Sequence, residues 1–263
     1  MPKFSANISP SFLFNDLPFL DRFAAARKSG FVGVEYMSPY EASKAEIAQR
    51  LKDNGLTQVL FNLPSGDWSA GERGIAILPD RIDEFKRGVD KAIEYADALD
   101  CEMINCLVGL TPKGADVKSL RKTLVANLAH AASELGEAGV RLLVEPINTR
   151  DIPGFALTRT DQALQLISEV GSDNLFIQYD IYHMQIMEGD LTQTIEANMA
   201  RIAHVQLADN PGRHEPGTGE INYPFLFGRL DKIGYRGWIG CEYKPLTTTV
   251  EGLGWFSGLR SAA

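Results

Sequence analysis

Short apolar runs that close on a polar residue recur eight times along the chain, at 4–7, 32–35, 59–62, 103–105, 142–145, 176–180, 202–206 and 239–242. Runs this short, rich in Val, Ile and Phe, predict buried strands. Between them, 17–28, 80–99, 117–135 and 160–170 carry apolar residues three and four apart. In the second of these, Ile82, Phe85, Val89, Ile93 and Ala96 form one stripe along a helix. Ser29-Gly30, Gly136 and Gly171 stand where the first, third and fourth helices should stop. Eight strands, each followed by a helix, predict a parallel (β/α)8 TIM barrel. An open doubly wound sheet would place a glycine-rich turn after its first strand, and Ala6-Asn7-Ile8-Ser9 contains no glycine. No Pro/Ser-rich linker or like-charge block interrupts the pattern, so residues 1–263 are expected to form one domain.

In a barrel the chemistry sits at the C-terminal ends of the strands, which is where these polar residues fall. Side chains two apart on a strand share a face, so Gln178 and Asp180, and likewise His204 and Gln206, should point inward together. One carboxylate at a strand end could cap a helix. Three of them, Glu145, Asp180 and Glu242, each closing an apolar run, call for a cation where they converge.

Charge and composition narrow the partners. The 263 residues hold 34 acidic and 26 basic side chains, a net charge of −8, which argues against nucleic acid and anionic membrane as partners. A small anion held by a few local cations remains compatible with that balance. Three cysteines, Cys101, Cys106 and Cys241, make neither a disulfide framework nor a zinc motif and read as small apolar residues of strands. No apolar stretch reaches the roughly 18 residues of a membrane span, and the N-terminus lacks a signal-peptide core. A reducing cytoplasm is the expected setting, and the sequence specifies no oligomeric state. Asn7-Ile8-Ser9 matches a glycosylation triplet, read here as chance.

The strings NLPSGDWSAGERGIA (62–76), VEPIN (144–148), QYDIYH (178–183), HVQLADNPGRHEPGTGEINY (204–223) and GCEYKP (240–245) resemble the hydroxypyruvate isomerases, of the xylose-isomerase-like TIM barrels. The resemblance runs from the first strand to GLGWF at 252–256. It implies one divalent metal held at Glu145, Asp180, Gln206 and Glu242. Related ketose epimerases carry His at the third position. The amide oxygen of Gln206 there favours Mg2+ or Mn2+ over Zn2+. An endonuclease IV-like reading wants a His-rich zinc cluster, which is missing.

The resemblance further assigns Glu145 and Glu242 as the acid–base pair that moves a proton between neighbouring carbons of a metal-bound substrate. A hydride shift would want a second metal and more than three inward carboxylates. His183 resembles the epimerase histidine that touches a substrate oxygen. His204 supports Gln206 from behind, His130 is structural, and His214 stays open. Arg213, Lys244 and Arg73 are the candidate cations for a substrate carboxylate, and Trp68 lines or covers the mouth. Pro216-Gly217-Thr218-Gly219 reads as a mobile active-site loop rather than a phosphate cradle, because no helix start and lysine follow it. The implied substrate is a small anionic keto acid, hydroxypyruvate first and a longer 2-oxo-tetronate second. A neutral-sugar epimerase and a non-catalytic sugar-acid-binding barrel stand behind them.

Overall fold

The computed structural model describes residues 3–256. Eight parallel strands close into a barrel in sequence order: β1 (Lys3–Asn7), β2 (Gly33–Glu35), β3 (Thr57–Asn62), β4 (Met103–Cys106), β5 (Arg141–Val144), β6 (Leu175–Asp180), β7 (Ile202–Leu207) and β8 (Trp238–Cys241). The ring is sealed where β1 lies between β2 and β8, with Ser5 opposite both Gly33 and Gly240. Both faces of these strands are buried, which explains their nearly continuous apolar runs.

Helices α1 (Arg22–Lys28), α2 (Lys44–Asn54), α3 (Ile82–Leu99), α4 (Val117–Glu137), α5 (Thr160–Val170), α6 (Ile181–Met187), α7 (Leu191–Asn198) and α8 (Tyr223–Lys232) pack outside. The α3 stripe is buried at Phe85, Val89, Ala92, Ala96 and Leu99. At α2, Ser43 accepts from Glu46 N and donates to its carboxylate, a reciprocal cap that fixes the helix start. Gly171 closes α5 at φ 69°. Among the described residues no helix is long and apolar enough to cross a membrane.

Three details depart from the sequence pattern. Gly136 lies inside α4, which continues to Glu137; the left-handed turn falls on Gly139, at φ 74°. The segment after β6 divides into α6 and α7; after β8 a 3-10 turn, Glu251–Leu253, leads into helical residues 254–256, and the rest of the last expected helix lies outside the described residues. The helix expected over 17–28 begins at Arg22 behind a 3-10 turn at Phe19–Asp21.

Inside the barrel an apolar plug of Val59, Leu60, Met103 and Leu143, with Trp238 and Phe176 against it, fills one layer. Above it the interior turns polar, and that change of character positions the site.

Candidate active site

The strand ends and the loops beyond them enclose a cavity of about 470 Å3. Glu145 and Glu242 reach it from the residues immediately after β5 and β8. Gln206, His183, Arg213, Lys244, Arg73 and Trp68 also line it. Asp180, the last residue of β6, is fully buried, with Oδ2 3.5 Å from His183 Nε2.

Glu242 is held by three donors. Its Oε2 accepts from Asn7 Nδ2 at 2.7 Å and Gln206 Nε2 at 2.8 Å, and its Oε1 accepts from Arg213 Nη2 at 2.5 Å. Burial pushes this carboxyl up to about 8, against the pull of Arg213. Glu145 is held more loosely, by a long contact from Asn105 Nδ2 at 3.3 Å and by the Gln178 amide. Burial, with Glu242 and Asp180 nearby, drives its carboxyl well above the ordinary range.

Asp180 has two differently used oxygens. Its Oδ1 caps α6, accepting from Tyr182 N at 2.7 Å and His183 N at 3.2 Å. Its Oδ2 is buried without a hydrogen-bond partner. Burial pushes this carboxyl up as well, against the pull of Arg213. An orphaned carboxylate oxygen beside two further anions is the environment a hard cation satisfies. One ligand-type atom from each of Glu145, Asp180 and His183 lies within 4.8 Å of the others. The carboxylates of Glu145 and Asp180 fit a divalent ion, with the His183 ring beside the same point.

Gln206 departs from the expected ligand pose. Its Oε1 accepts from Gln178 Nε2 at 2.7 Å, while its Nε2 donates to Glu242 and, at 2.8 Å, to Glu35 Oε1. Offering oxygen to a metal requires a half-turn of this amide. Its nitrogen would then meet Gln178 Nε2, so the Gln178 amide must turn as well and present its Oε1, which is buried and unpartnered.

A fourth inward carboxylate, Glu35 at the end of β2, corrects the expectation of three. It is fully buried beneath the cavity, with Oε2 2.9 Å from His204 Nε2 and 2.7 Å from Ser5 Oγ. Burial opposes its ionisation, but His204 and the Gln206 and Ser5 donors outweigh that and hold it below the ordinary carboxylate range. Gly240 makes the room: a Cβ there would sit 2.1 Å from the Glu35 carboxylate. Glu35 closes an apolar run just as Glu145 does, so the strand-end rule itself was the signal for it. Asn7 is the other residue that the sequence pattern did not place in the site. Only 2% exposed and bonded to Glu242, it is no surface glycan acceptor.

Arg213 sits among the acids rather than free at the mouth. Besides Glu242, its guanidinium lies 3.6 Å from both Asp180 and Asp151, between the rings of Phe12 and Tyr182. Its backbone is held at φ 56° by Asp209 O and Lys244 N. The loop around it is wound on Asp209, whose carboxylate accepts from the amides of Asn210, Gly217, Gly219 and Ile221. The stretch expected to be mobile is therefore tied down by a buried side chain. His214 Nδ1 meets Lys244 O at 2.7 Å and joins this loop to the one after β8. His130 stands apart on α4, 3.8 Å from Glu134.

Arg73 and Trp68 share the loop after β3. The guanidinium stacks on the indole 3.8 Å from its centre, and Nη1 donates to the Trp68 and Glu72 carbonyls. Neither Arg73 nor the exposed Lys244 has a carboxylate within ion-pair distance among the described residues. All three cysteines are buried free thiols.

A family model described as "Xylose isomerase-like TIM barrel" matches residues 23–259. The chain is 54% identical over 260 residues to the hydroxypyruvate isomerase of Escherichia coli K12, covering 99% of this chain and 100% of that one. It is 49% identical over 255 residues to the 2-oxo-tetronate isomerase of Cupriavidus necator, covering 97% of each. A crystal structure named AP endonuclease, family 2, from Brucella melitensis superposes with TM-score 0.95 at 48% identity, over 98% of this chain and 99% of that one.

Proposed function

The chain belongs to the xylose isomerase-like TIM barrel family, and we propose that it interconverts hydroxypyruvate and 2-hydroxy-3-oxopropanoate. The observation that carries this is the placement of two buried glutamates, Glu145 and Glu242, in one cavity with cations on its loops. One carboxylate takes a proton from C3 of hydroxypyruvate, and the electron pair moves to the C2 carbonyl to give an enediolate. The other delivers a proton to C2, and the proton that leaves O3 passes to O2, which leaves the aldehyde at C3 and the hydroxyl at C2. The raised proton affinities of both carboxyls suit groups that must hold and release a proton near neutral pH.

Glu145, Asp180 and Glu242 are the residues that would hold a divalent ion, with Gln206 joining after its amide turns. Oxygen ligands favour Mg2+ or Mn2+. Such an ion, when bound, supplies positive charge to the enediolate oxygens. Arg213 is already engaged by Glu242 and Asp180, so the substrate carboxylate falls to Arg73 or Lys244, with Trp68 backing Arg73.

The cavity also has room for a fourth carbon, which favours 2-oxo-tetronate as the second substrate. A DNA-cleaving role is disfavoured by the net charge of −8 and by the acids that surround Arg213. The test is to follow three- to six-carbon keto acids and ketoses by NMR with metal-supplemented protein, before and after chelation. Selective turnover of hydroxypyruvate that chelation abolishes and Mg2+ or Mn2+ restores is the expected result. Turnover of neutral ketoses alone would overturn the substrate assignment, and full activity in a verified metal-free sample would overturn the metal.

A further inference from the structure

Asn148, the last residue of VEPIN, lies four residues beyond β5 and is fully buried. Its side-chain oxygen accepts from Arg150 N at 3.0 Å and Asp151 N at 2.7 Å. Two backbone N–H donors fix which end of the amide is oxygen, because reversing it would set donors against donors. The nitrogen end therefore faces His183, with Nδ2 2.6 Å from Nδ1. At that separation one partner must present a lone pair, and the amide nitrogen has none. Nδ1 is the acceptor, and the ring proton belongs on Nε2.

The surroundings of Nε2 accommodate that proton. Asp180 Oδ2 stands 3.5 Å away and Glu145 Oε1 3.8 Å away, both acceptors. Arg213 Nη2 is also 3.4 Å from Nε2, but its short bond goes to Glu242 Oε1 at 2.5 Å. Two N–H groups can pass at 3.4 Å; they cannot at 2.6 Å. Nε2 also faces the cavity that Glu145 and Glu242 share.

We propose that Asn148 is a positioning residue that locks His183 as a neutral imidazole with its proton on Nε2, so that His183 donates a hydrogen bond to the substrate oxygen on which negative charge develops. This makes His183 an electrophile rather than a metal ligand, and it rests on the isomerase reading for its substrate. The proton stays on His183 throughout: the histidine contributes a donor, and the glutamates move the protons. A prealigned donor of this kind acts where charge appears, without reorganisation.

Asn148→Asp tests it, made in an Asp151→Asn background and compared with that background, because Asn148 Nδ2 also donates to Asp151 Oδ2 at 3.2 Å and a second carboxylate there would repel the first. A carboxylate can still accept from Arg150 N and Asp151 N and keep the turn, but towards His183 it can only accept, which draws the ring proton to Nδ1. In 15N-labelled protein, long-range proton–nitrogen spectra report the tautomer of His183 without substrate, and a His183→Gln sample identifies its signals among the four histidines. The expected result is an Nε2–H ring in wild type and an Nδ1–H ring in N148D. Turnover in N148D should fall by about 10²-fold with KM little changed, the usual effect of removing one such donor. An Nδ1–H ring in wild type overturns the proposal. So does an N148D protein that switches tautomer yet turns over normally, or one that keeps Nε2–H whether or not its turnover falls. A wild-type protein with the Nε2–H ring and no isomerase activity would instead overturn the functional reading.

Discussion

The two glutamates that face each other across the cavity are held in opposite ways. Glu242 is clamped by Asn7, Gln206 and Arg213, with bonds of 2.5–2.8 Å to both oxygens. Glu145 has a long contact from Asn105, at 3.3 Å, and a weak one from Gln178, and lies beside other anions. Burial disfavours the ionised form of both; donors offset part of that for the first, and like charge adds to it for the second. One wall of the mouth is thus a closed hydrogen-bond network, and the other is a cluster of acceptors with few donors.

Turnover gives the largest test of this contrast. Gln at either position removes a proton carrier, and each variant should lose about 10²–10⁴-fold in turnover, read in the NMR assay. A variant that retains wild-type turnover would remove that glutamate from the acid–base pair. In deuterated solvent, wild-type product should carry solvent label; complete absence over many turnovers would point to a hydride shift.

Stability should then separate the two walls. In E242Q an amide meets donors from Asn7 and Gln206, and Arg213 loses its short ion pair. We expect a loss of about 1–3 kcal/mol in chemical denaturation, from the Arg213 donor left facing the amide nitrogen. E145Q relieves repulsion with Glu242 and Asp180, so the metal-free protein should be unchanged or more stable. Equal losses in both variants would show that the asymmetry is not energetic.

Substrate recognition is the next effect in size. Among the described residues nothing bonds Arg73 Nε or Nη2, an edge that suits a carboxylate, and its stacking on Trp68 fixes the group beforehand. Arg73→Met should raise KM for hydroxypyruvate about tenfold to a hundredfold, the cost of a charge-assisted contact, while kcat changes little. If only Lys244→Met does this, the anchor belongs to the loop after β8.

The smallest effect is on pH. Both glutamates bind protons more tightly in the folded chain than in the unfolded one, Glu242 near 8 against about 4.3 unfolded. The folded state therefore carries more protons across that window, and metal-free stability should fall as pH rises through it. E145Q should flatten the fall. A thermal-melt series in which stability rises over the same window would contradict the raised affinities.

The sequence pattern was enough for much of this because barrel architecture converts strand ends into neighbours. Glu145, Asp180, Gln206 and Glu242 each close an apolar run, so β-strand placement alone brings them to one mouth. Glu35 obeyed the same rule, but no motif drew attention to it, and its pairing with His204 spans two distant strands. The Gln206 amide illustrates a deeper limit. Which end faces Glu242 is decided by Gln178 and Glu35 together, and residue type carries no such information. Arg213 likewise reads as a free cation until the Asp209-centred loop turns it inward. Helix ends were less legible: Gly136 is tolerated within α4, where packing outweighs its low propensity, and Gly139 takes the left-handed turn instead.

The carboxylate of Asp209 has a consequence for what the mouth can recognise. Four backbone amides of its loop, the groups that could cradle a phosphate ester, already converge on an anion supplied by the chain itself. The chain thus carries a permanent internal mimic of the phosphate that many sugar-handling enzymes bind. Those four amides are thereby committed within the fold and are not offered to a ligand.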